Sequence, residues 1–119
     1  MNEIHKTSLV DPSAQLGNNI KIGPYCIIEK DVCIGDGNTI QPYVQIKSNT
    51  VIGKNNDIYQ GSILGEIPQD LKYDGEKTSL IIGDNNVIRE YCTFNIGTSH
   101  SKITKIGNNC LFMAYVHIA

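Results

Sequence analysis

The sequence contains no tryptophan, and aromatic residues make up only 7% of its 119 positions. Its formal net charge is −2, so it lacks the basic surface that nucleic acids and anionic membranes attract. Residues 1–6 hold no apolar signal core, and no apolar run approaches the ~20 residues of a membrane-spanning helix. We therefore expect one cytoplasmic domain, residues 1–119, with no membrane span and no nucleic-acid partner.

Motifs for disulfides, metals and common cofactors are also missing. No two cysteines form C-x-x-C, and three of the four share one position of the repeat described below, so we interpret them as small buried residues in a reducing compartment. The histidines, His5, His100 and His117, are too scattered to predict converging metal ligands. There is no Walker loop, G-x-G-x-x-G or nucleophile elbow, so we predict no metal and no cofactor.

What the sequence does contain is an apolar residue at every sixth position, here called the repeat residue. An even period suits strands, because residues i, i+2 and i+4 share one face, whereas on a helix every sixth residue would drift around the axis. The period therefore predicts a β-solenoid. The repeat residues are Ile4, Val10, Leu16, Ile22, Ile28, Ile34, Ile40, Ile46, Ile52, Ile58 and Leu64, then Ile82, Ile88 and Phe94, then Ile106, Phe112 and Ile118.

Two further positions of the repeat carry a pattern. The residue after the repeat residue is often glycine, which we interpret as the corner where the backbone needs unusual angles. Four positions after the repeat residue stands a small or β-branched side chain, or one of Asn38, Asn56 and Asn86. The glycines are Gly17, Gly23, Gly35, Gly53, Gly65, Gly83 and Gly107.

The repeat is interrupted twice without losing its phase. Residues 65–80 are predicted to bulge from the solenoid as a loop, and residues 97–104 form a shorter break. A loop inserted into a regular scaffold is a common location for binding and catalytic residues. We therefore expect the functional site at the first interruption.

The hexapeptide pattern resembles the left-handed parallel β-helix of the hexapeptide acyltransferases, which has three hexapeptides in each triangular coil. The predicted fold class is thus all-β, a left-handed parallel β-helix with an excursion at about residues 65–80. The handedness follows from the resemblance alone, because general topology rules favour right-handed connections between parallel strands.

Three stretches resemble one family in particular, the UDP-N-acetylglucosamine O-acyltransferases of lipid A biosynthesis. The resemblance covers the whole chain but only about the first half of a typical family member, so we do not expect the family's further coils and C-terminal helical domain within these 119 residues. It is carried by the loop with Gln-Asp-Leu-Lys-Tyr at residues 69–73, by Ile88-Arg89-Glu90, and by Met113-Ala114-Tyr115-Val116-His117-Ile118-Ala119.

The resemblance implies transfer of a 3-hydroxyacyl chain from acyl carrier protein to the sugar 3-hydroxyl of UDP-N-acetylglucosamine, the first step of lipid A biosynthesis. It implies that Gln69, Asp70 and Lys72 contact the nucleotide sugar, where a carboxylate accepts hydrogen bonds from hydroxyls and an ammonium pairs with an anionic group. It also implies a homotrimer with sites between subunits, and we expect outward tyrosines such as Tyr25, Tyr43 and Tyr59 to lie on the subunit faces.

His117 is the candidate catalytic residue within this chain. Acyl transfer to an alcohol needs a base, because a sugar hydroxyl is a poor nucleophile until its proton is removed. The family motif reads His-Ile-Ala-His and its second histidine is the general base, a position beyond Ala119. His117 matches the first histidine, and it precedes an inward repeat residue, so its side chain should point outward. The simpler interpretation is a surface histidine without a catalytic role.

Two other functions remain open from the sequence. A related hexapeptide enzyme could acylate the amino group of a nucleotide sugar, since an amine needs less activation than an alcohol. A catalytically inactive β-helical trimer could serve as an assembly module. The resemblance assigns the chain to an O-acyltransferase family without implying that these 119 residues alone turn over substrate.

Overall fold

The computed structural model describes residues 1–67, 78–97 and 102–118, and these form a stack of short strands. Within the described ranges there is no helix long and apolar enough to cross a membrane. The strands are β1 (Glu3–Ile4), β2 (Leu9–Val10), β3 (Gln15–Leu16), β4 (Lys21–Ile22), β5 (Ile27–Ile28), β6 (Cys33–Ile34), β7 (Thr39–Ile40), β8 (Gln45–Ile46), β9 (Thr50–Ile52), β10 (Asp57–Ile58), β11 (Ile63–Glu66), β12 (Ser79–Ile82), β13 (Val87–Ile88), β14 (Thr93–Asn95), β15 (Ile103–Ile106), β16 (Leu111–Phe112) and β17 (His117–Ile118).

Strands β1 to β14 each pair in parallel with the strand three places further along the chain. This pairing gives three sheets, one for each side of the coil: the first sheet is β1-β4-β7-β10-β13-β16, the second is β2-β5-β8-β11-β14-β17 and the third is β3-β6-β9-β12-β15. Since three strands complete one coil before the next begins, the molecule is the parallel β-solenoid that the six-residue period predicted.

The repeat residues stack on one another through this register. Ile22 pairs with both Ile4 and Ile40, and Ile58 pairs with both Ile40 and Ile88. Every repeat residue from Ile22 to Ile106 is buried, whereas Val10, Leu16, Phe112 and Ile118 in the end coils are partly buried and Ile4 is 42% exposed. The predicted core is therefore confirmed, and burial falls at the ends because an end coil has a described neighbour on one side only.

The residues with positive φ, which mark the corners of the coil, lie two positions after the glycines that were predicted to form the corners. Among the described residues, ten other than glycine have a positive φ, from Asn19 at 58° to Tyr115 at 66°, and all ten stand three positions after a repeat residue. Of the glycines that directly follow a repeat residue, Gly65 alone has a positive φ. Interpreting these glycines as the corner residues was wrong.

Glycine recurs after the repeat residue because neighbouring coils approach each other there. A Cβ atom on Gly35 would lie 2.7 Å from the carbonyl oxygen of Gly53, and one on Gly53 would lie 2.7 Å from that of Gly83. Real Cβ atoms do not come so close to backbone, so a side chain at these positions would force the coils apart.

Two of the three corners of the coil carry clearly different sets of residues. The corner between the first and second sheets carries Tyr25, Tyr43, Gly61, Tyr91 and Tyr115. The corner between the third and first sheets carries asparagines and one glycine: Asn19, Gly37, Asn55, Asn85 and Asn109. Asparagine and glycine tolerate the left-handed region better than other residues do, so the second set follows local preference and the tyrosines do not.

Buried asparagines connect successive coils behind that asparagine corner. The side-chain Nδ2 of Asn38 donates to the carbonyl oxygen of Gly53 at 2.7 Å, and its Oδ1 accepts from the backbone nitrogen of Asn56 at 2.8 Å. Asn56 repeats both contacts one coil on, with Gly83 and Asn86 at 2.9 Å each. These asparagines therefore occupy the small-residue position because each satisfies backbone groups that stacking would otherwise bury unpaired.

Candidate functional site

Both interruptions leave the coil at the same corner, between the second and third sheets. The first follows β11 and the chain rejoins the coil at β12, while the second follows β14 and rejoins at β15. Since β11 pairs with β14 and β12 pairs with β15, the two interruptions leave from adjacent coils and return to adjacent coils. The strands take in residues 65–66, 79–80 and 103–104 at the edges of the predicted loops, and residues 68–77 and 98–101 lie outside the described part.

The strands that flank the two interruptions are joined by hydrogen bonds. The Ile96 nitrogen donates to the Glu66 carbonyl oxygen at 2.9 Å, and the Gly97 nitrogen donates to the Ser79 carbonyl oxygen at 3.1 Å. The Thr78 hydroxyl donates to the Gly97 carbonyl oxygen, and Thr78 is only 2% exposed. The start of the second interruption is thus held between the two ends of the first.

Asn95 lies directly before this junction and is an unusual buried residue. Its side chain is 1% exposed, and neither its Oδ1 nor its Nδ2 has a hydrogen-bond partner among the residues that the structure describes. Burying an amide without hydrogen bonds costs about 1–3 kcal/mol, so such a group usually marks a place where a further polar group approaches. The six-residue repeat does not predict these missing hydrogen bonds, because it predicts only which positions face inward.

A shallow depression of about 330 Å³ lies beside the same corner. Lys47 Nζ is 3.7 Å from Glu29 Oε2 on its rim, and Glu29 Oε1 accepts a hydrogen bond from the Ser48 nitrogen at 3.0 Å. Gly65 lines its floor with a φ of +89°, and a Cβ atom there would lie 2.1 Å from Thr50 Oγ1. Glycine is therefore favoured at position 65, where the chain leaves the repeat, because any larger residue would have to displace the Thr50 hydroxyl.

His117 lies on β17, next to Thr93 on β14, which in turn is next to Ile63 on β11. The imidazole is exposed, as expected for the residue before an inward repeat residue. His117 is thus on the outer surface of the second sheet, the same sheet from which both interruptions depart. Its catalytic role remains a prediction.

The other predicted site residues are not placed by the structure. Gln69, Asp70 and Lys72 lie outside the described residues, and so do His100 and Ala119. Their assignment to nucleotide-sugar binding therefore stays a prediction. The described ends of that segment show only where it leaves and rejoins the coil.

The Ile88-Arg89-Glu90 motif forms a separate cluster near the tyrosine corner. Arg89 Nε lies 2.9 Å from Glu90 Oε1, and its guanidinium stands 4.5 Å from the centre of the Tyr59 ring. The side-chain hydrogen bond from Arg89 is the main cause that lowers the pKa of the Glu90 carboxyl. Tyr59 is consequently half-buried beneath Arg89, whereas Tyr25 and Tyr43 are exposed and stack with ring centroids 5.3 Å apart.

Comparisons with known proteins agree with this geometry. The family described as "Bacterial transferase hexapeptide (six repeats)" matches residues 31–66. A protein from Saccharophagus degradans named acyl-(acyl-carrier-protein)–UDP-N-acetylglucosamine O-acyltransferase is 52% identical over 119 residues, which are 99% of this chain and 46% of that protein. A solved structure of a UDP-N-acetylglucosamine acyltransferase from Bacteroides fragilis superposes with a TM-score of 0.96 at 43% identity, covering 98% of this chain and 46% of that one.

The six-residue repeat, with three strands in each coil, and the match to solved structures make the molecule a left-handed parallel β-helix of the hexapeptide-transferase class. Within that class the chain belongs to the UDP-N-acetylglucosamine O-acyltransferase family. It spans about half the length of the curated relatives that it matches. A GDP-perosamine N-acetyltransferase from Caulobacter crescentus, with a TM-score of 0.64 at 16% identity, shares the fold alone, over 98% of this chain and 50% of that one.

Proposed function

We propose that this chain provides the acceptor-binding part of an acyltransferase of lipid A biosynthesis. The donor would be a 3-hydroxyacyl group on acyl carrier protein, and the acceptor the sugar 3-hydroxyl of UDP-N-acetylglucosamine. The observation that carries the proposal is the 52% identity, along 99% of the chain, to a protein named for that donor and that acceptor. Because the chain spans 46% of that relative, the activity of the longer protein is proposed for it rather than established.

The reaction sets two requirements on the site. The acceptor oxygen attacks the thioester carbonyl, so that a C–O bond forms, the C–S bond breaks and the carrier thiol leaves, while a base takes the proton of the hydroxyl. The family motif places that base at the position after Ala119. We assign His117 a place beside the acceptor, where an exposed imidazole can hydrogen-bond to a sugar hydroxyl or, in the absence of another base, take its proton.

Acceptor binding is proposed for Gln69, Asp70 and Lys72. A carboxylate accepts hydrogen bonds from sugar hydroxyls, and an ammonium pairs with the diphosphate. The proposal is supported by the described strands on either side, because Glu66 and Ser79 anchor the segment next to the sheet that carries His117. We further propose a cytoplasmic homotrimer with the site between adjacent subunits, as the family resemblance implies.

The proposal is tested by titrating the chain with UDP-N-acetylglucosamine in a calorimeter. We expect Asp70→Asn to weaken binding about tenfold to a hundredfold, because hydrogen bonds to a charged group contribute about 1.5–3 kcal/mol each. The matched control is Asp31→Asn, the same change at an exposed corner residue whose φ of 58° asparagine tolerates. Unchanged affinity in Asp70→Asn would remove Asp70 from the site, and no binding by the unaltered chain would refute the acceptor role.

Turnover is tested separately with 3-hydroxyacyl carrier protein as donor. UDP-N-acetylglucosamine and a nucleotide sugar that carries a free amine are offered in parallel. Acylation of the hydroxyl supports the proposal, while acylation of the amine alone would assign the chain to the N-acyltransferases. If the chain transfers acyl groups, loss of activity in His117→Ala with retained acceptor binding would identify His117 as catalytic.

A further inference from the structure

The outer face of the second sheet carries a row of side chains, one from each coil. Every member of the row directly precedes a repeat residue that faces the core, so its own side chain points outward. The register stacks these residues on one another, because Thr93 pairs with Ile63 on one side and with His117 on the other. In chain order, the row consists of Leu9, Ile27, Gln45, Ile63, Thr93 and His117.

This row differs in charge from the outward rows of the other two sheets. The row of the first sheet includes Glu3, Lys21 and Asp57, and that of the third sheet includes Lys105. The row of the second sheet contains no carboxylate, ammonium or guanidinium group. Phosphates are bound by cationic groups, whereas an uncharged sugar is bound by neutral polar groups next to apolar surface. The row therefore suits the sugar of a nucleotide sugar better than its diphosphate.

Three different side chains meet at the C-terminal end of this row. Neighbouring strands are about 4.8 Å apart, so Ile63, Thr93 and His117 lie within about 10 Å along the axis of the coil. Ile63 and Thr93 are half-buried, and His117 is exposed. The Thr93 hydroxyl can donate and accept a hydrogen bond, as can a neutral imidazole, while Ile63 adds apolar surface. Such a surface matches a sugar ring, which has hydroxyl groups at its edge and C–H groups on its faces.

We propose that Thr93 hydrogen-bonds to the sugar of the acceptor, a role that rests on the proposed function above. The sugar lies across the outer face of β14, with its C–H groups against Ile63 and one of its hydroxyls on the Thr93 hydroxyl. His117 then faces a second hydroxyl of the same ring. The six-residue repeat marks Thr93 only as an outward residue, and it is the register of β14 with β17 that places it beside His117.

Two ligands and three substitutions test this role in a calorimeter. UDP-N-acetylglucosamine carries the sugar, and UDP lacks it. Thr93→Val removes the hydroxyl and keeps the branched shape, while Thr93→Ser keeps the hydroxyl. Thr39→Val is the matched control, because Thr39 is an outward threonine on β7 of the first sheet. Each variant is titrated with both ligands, and its Tm is measured alongside.

We expect Thr93→Val to bind UDP-N-acetylglucosamine about threefold to tenfold more weakly, the range that a net contribution of about 0.6–1.4 kcal/mol from one neutral hydrogen bond gives. Its affinity for UDP should not change, and Thr93→Ser and Thr39→Val should bind both ligands within about twofold of the unaltered chain. Unchanged affinity of Thr93→Val for UDP-N-acetylglucosamine would overturn the role of Thr93 and leave the proposed function in place. An equal loss for both ligands would also overturn it. If the unaltered chain does not bind UDP-N-acetylglucosamine, the proposed function fails and the role of Thr93 fails with it.

A second measurement locates the sugar without any substitution. We expect saturation with UDP-N-acetylglucosamine to shift the NMR signals of the Thr93 methyl group and the His117 imidazole more than saturation with UDP does. The Leu9 methyl groups belong to the same row but lie four coils and about 19 Å from Thr93, so their signals should stay in place. No shift at Thr93, or a shift of the same size at Leu9, would contradict the proposal.

Discussion

The four cysteines occupy two different environments. Cys26 and Cys92 are buried, and their Sγ atoms lie 3.1 Å from the carbonyl oxygens of Gln41 and Met113. Desolvation by burial raises the pKa of both thiols, so a smaller fraction of each is present as the reactive thiolate. Burial also keeps reagents from reaching the two sulfur atoms. Cys33 and Cys110 are half-exposed. The sequence predicted buried cysteines at three positions and this is confirmed for two, because Cys110 lies in an end coil with less cover.

We expect brief treatment of the folded chain with Ellman's reagent at pH 8 to modify Cys33 and Cys110 and to spare Cys26 and Cys92. The reason is that a thiol must be both accessible and deprotonated to react. Peptide mapping by mass spectrometry identifies the labelled residues, and the same reaction in denaturant, where all four should react, is the control. Equal labelling of Cys26 and Cys33 in the folded chain would contradict this assignment.

At the level of the strand, the buried asparagines connect the coils by hydrogen bonds, while the aliphatic repeat residues form the core. Asn38, Asn56 and Asn86 each connect two coils through the same pair of contacts. The six-residue period identified the repeat residues because facing inward depends only on strand geometry. It did not identify the asparagine contacts, since their partners belong to other coils and lie at least 15 residues away in the sequence. The close approach of neighbouring coils at the glycines could not be predicted for the same reason.

We expect Asn56→Ala to lower the free energy of unfolding by about 2–4 kcal/mol, because it leaves the buried Asn86 N–H and the half-buried Gly83 carbonyl without their partners. Denaturant titration measures this loss of stability, provided that the slope of the free energy of unfolding against denaturant concentration is unchanged. Asn18→Ala removes an exposed asparagine side chain from the same corner two coils earlier and should stay within about 0.5 kcal/mol of the unaltered chain. An equal loss of unfolding free energy in both variants would show that the buried asparagine stabilises the coil no more than an exposed one does.

The two interruptions were harder to predict than the coil. Their existence follows from missing repeat residues, but their shared corner and the contact between Thr78 and Gly97 depend on how two coils stack. Asn95 is a similar case, because the sequence shows only that it follows the repeat residue Phe94. The acceptor residues of the candidate site came from a family resemblance rather than from the period.

For the molecule as a whole, the tyrosine corner is the main unexplained surface. Tyr25, Tyr43, Tyr91 and Tyr115 are each more than half exposed, and they stack in two pairs at 5.3 and 5.6 Å. Exposed aromatic side chains on one edge are typical of protein–protein contacts. Arg89 covers part of the Tyr59 ring, so Tyr59 offers less aromatic surface to the expected subunit contact than the four exposed tyrosines do.

We expect sedimentation equilibrium to give three times the 13.1 kDa chain mass, as the family resemblance implies. The association should weaken in a Tyr25→Ser, Tyr43→Ser double variant if the tyrosine corner contributes to the subunit contact, since burial of aromatic rings dominates interface energetics. The unaltered chain, run over a hundredfold concentration range, is the reference. A mass of one chain at every concentration would contradict the trimer and, with it, a site shared between subunits.

The corner residues with positive φ bear on the order in which the coils form. A non-glycine residue in the left-handed region costs roughly 1 kcal/mol or more, and a coil such as residues 22–39 contains two of them, Tyr25 and Asp31, beside Gly37. A solitary coil has no neighbour whose hydrogen bonds and apolar contacts could offset that cost. Folding should therefore begin with an unfavourable nucleus of at least two stacked coils and then propagate readily in either direction, so that a peptide of one coil stays unstructured.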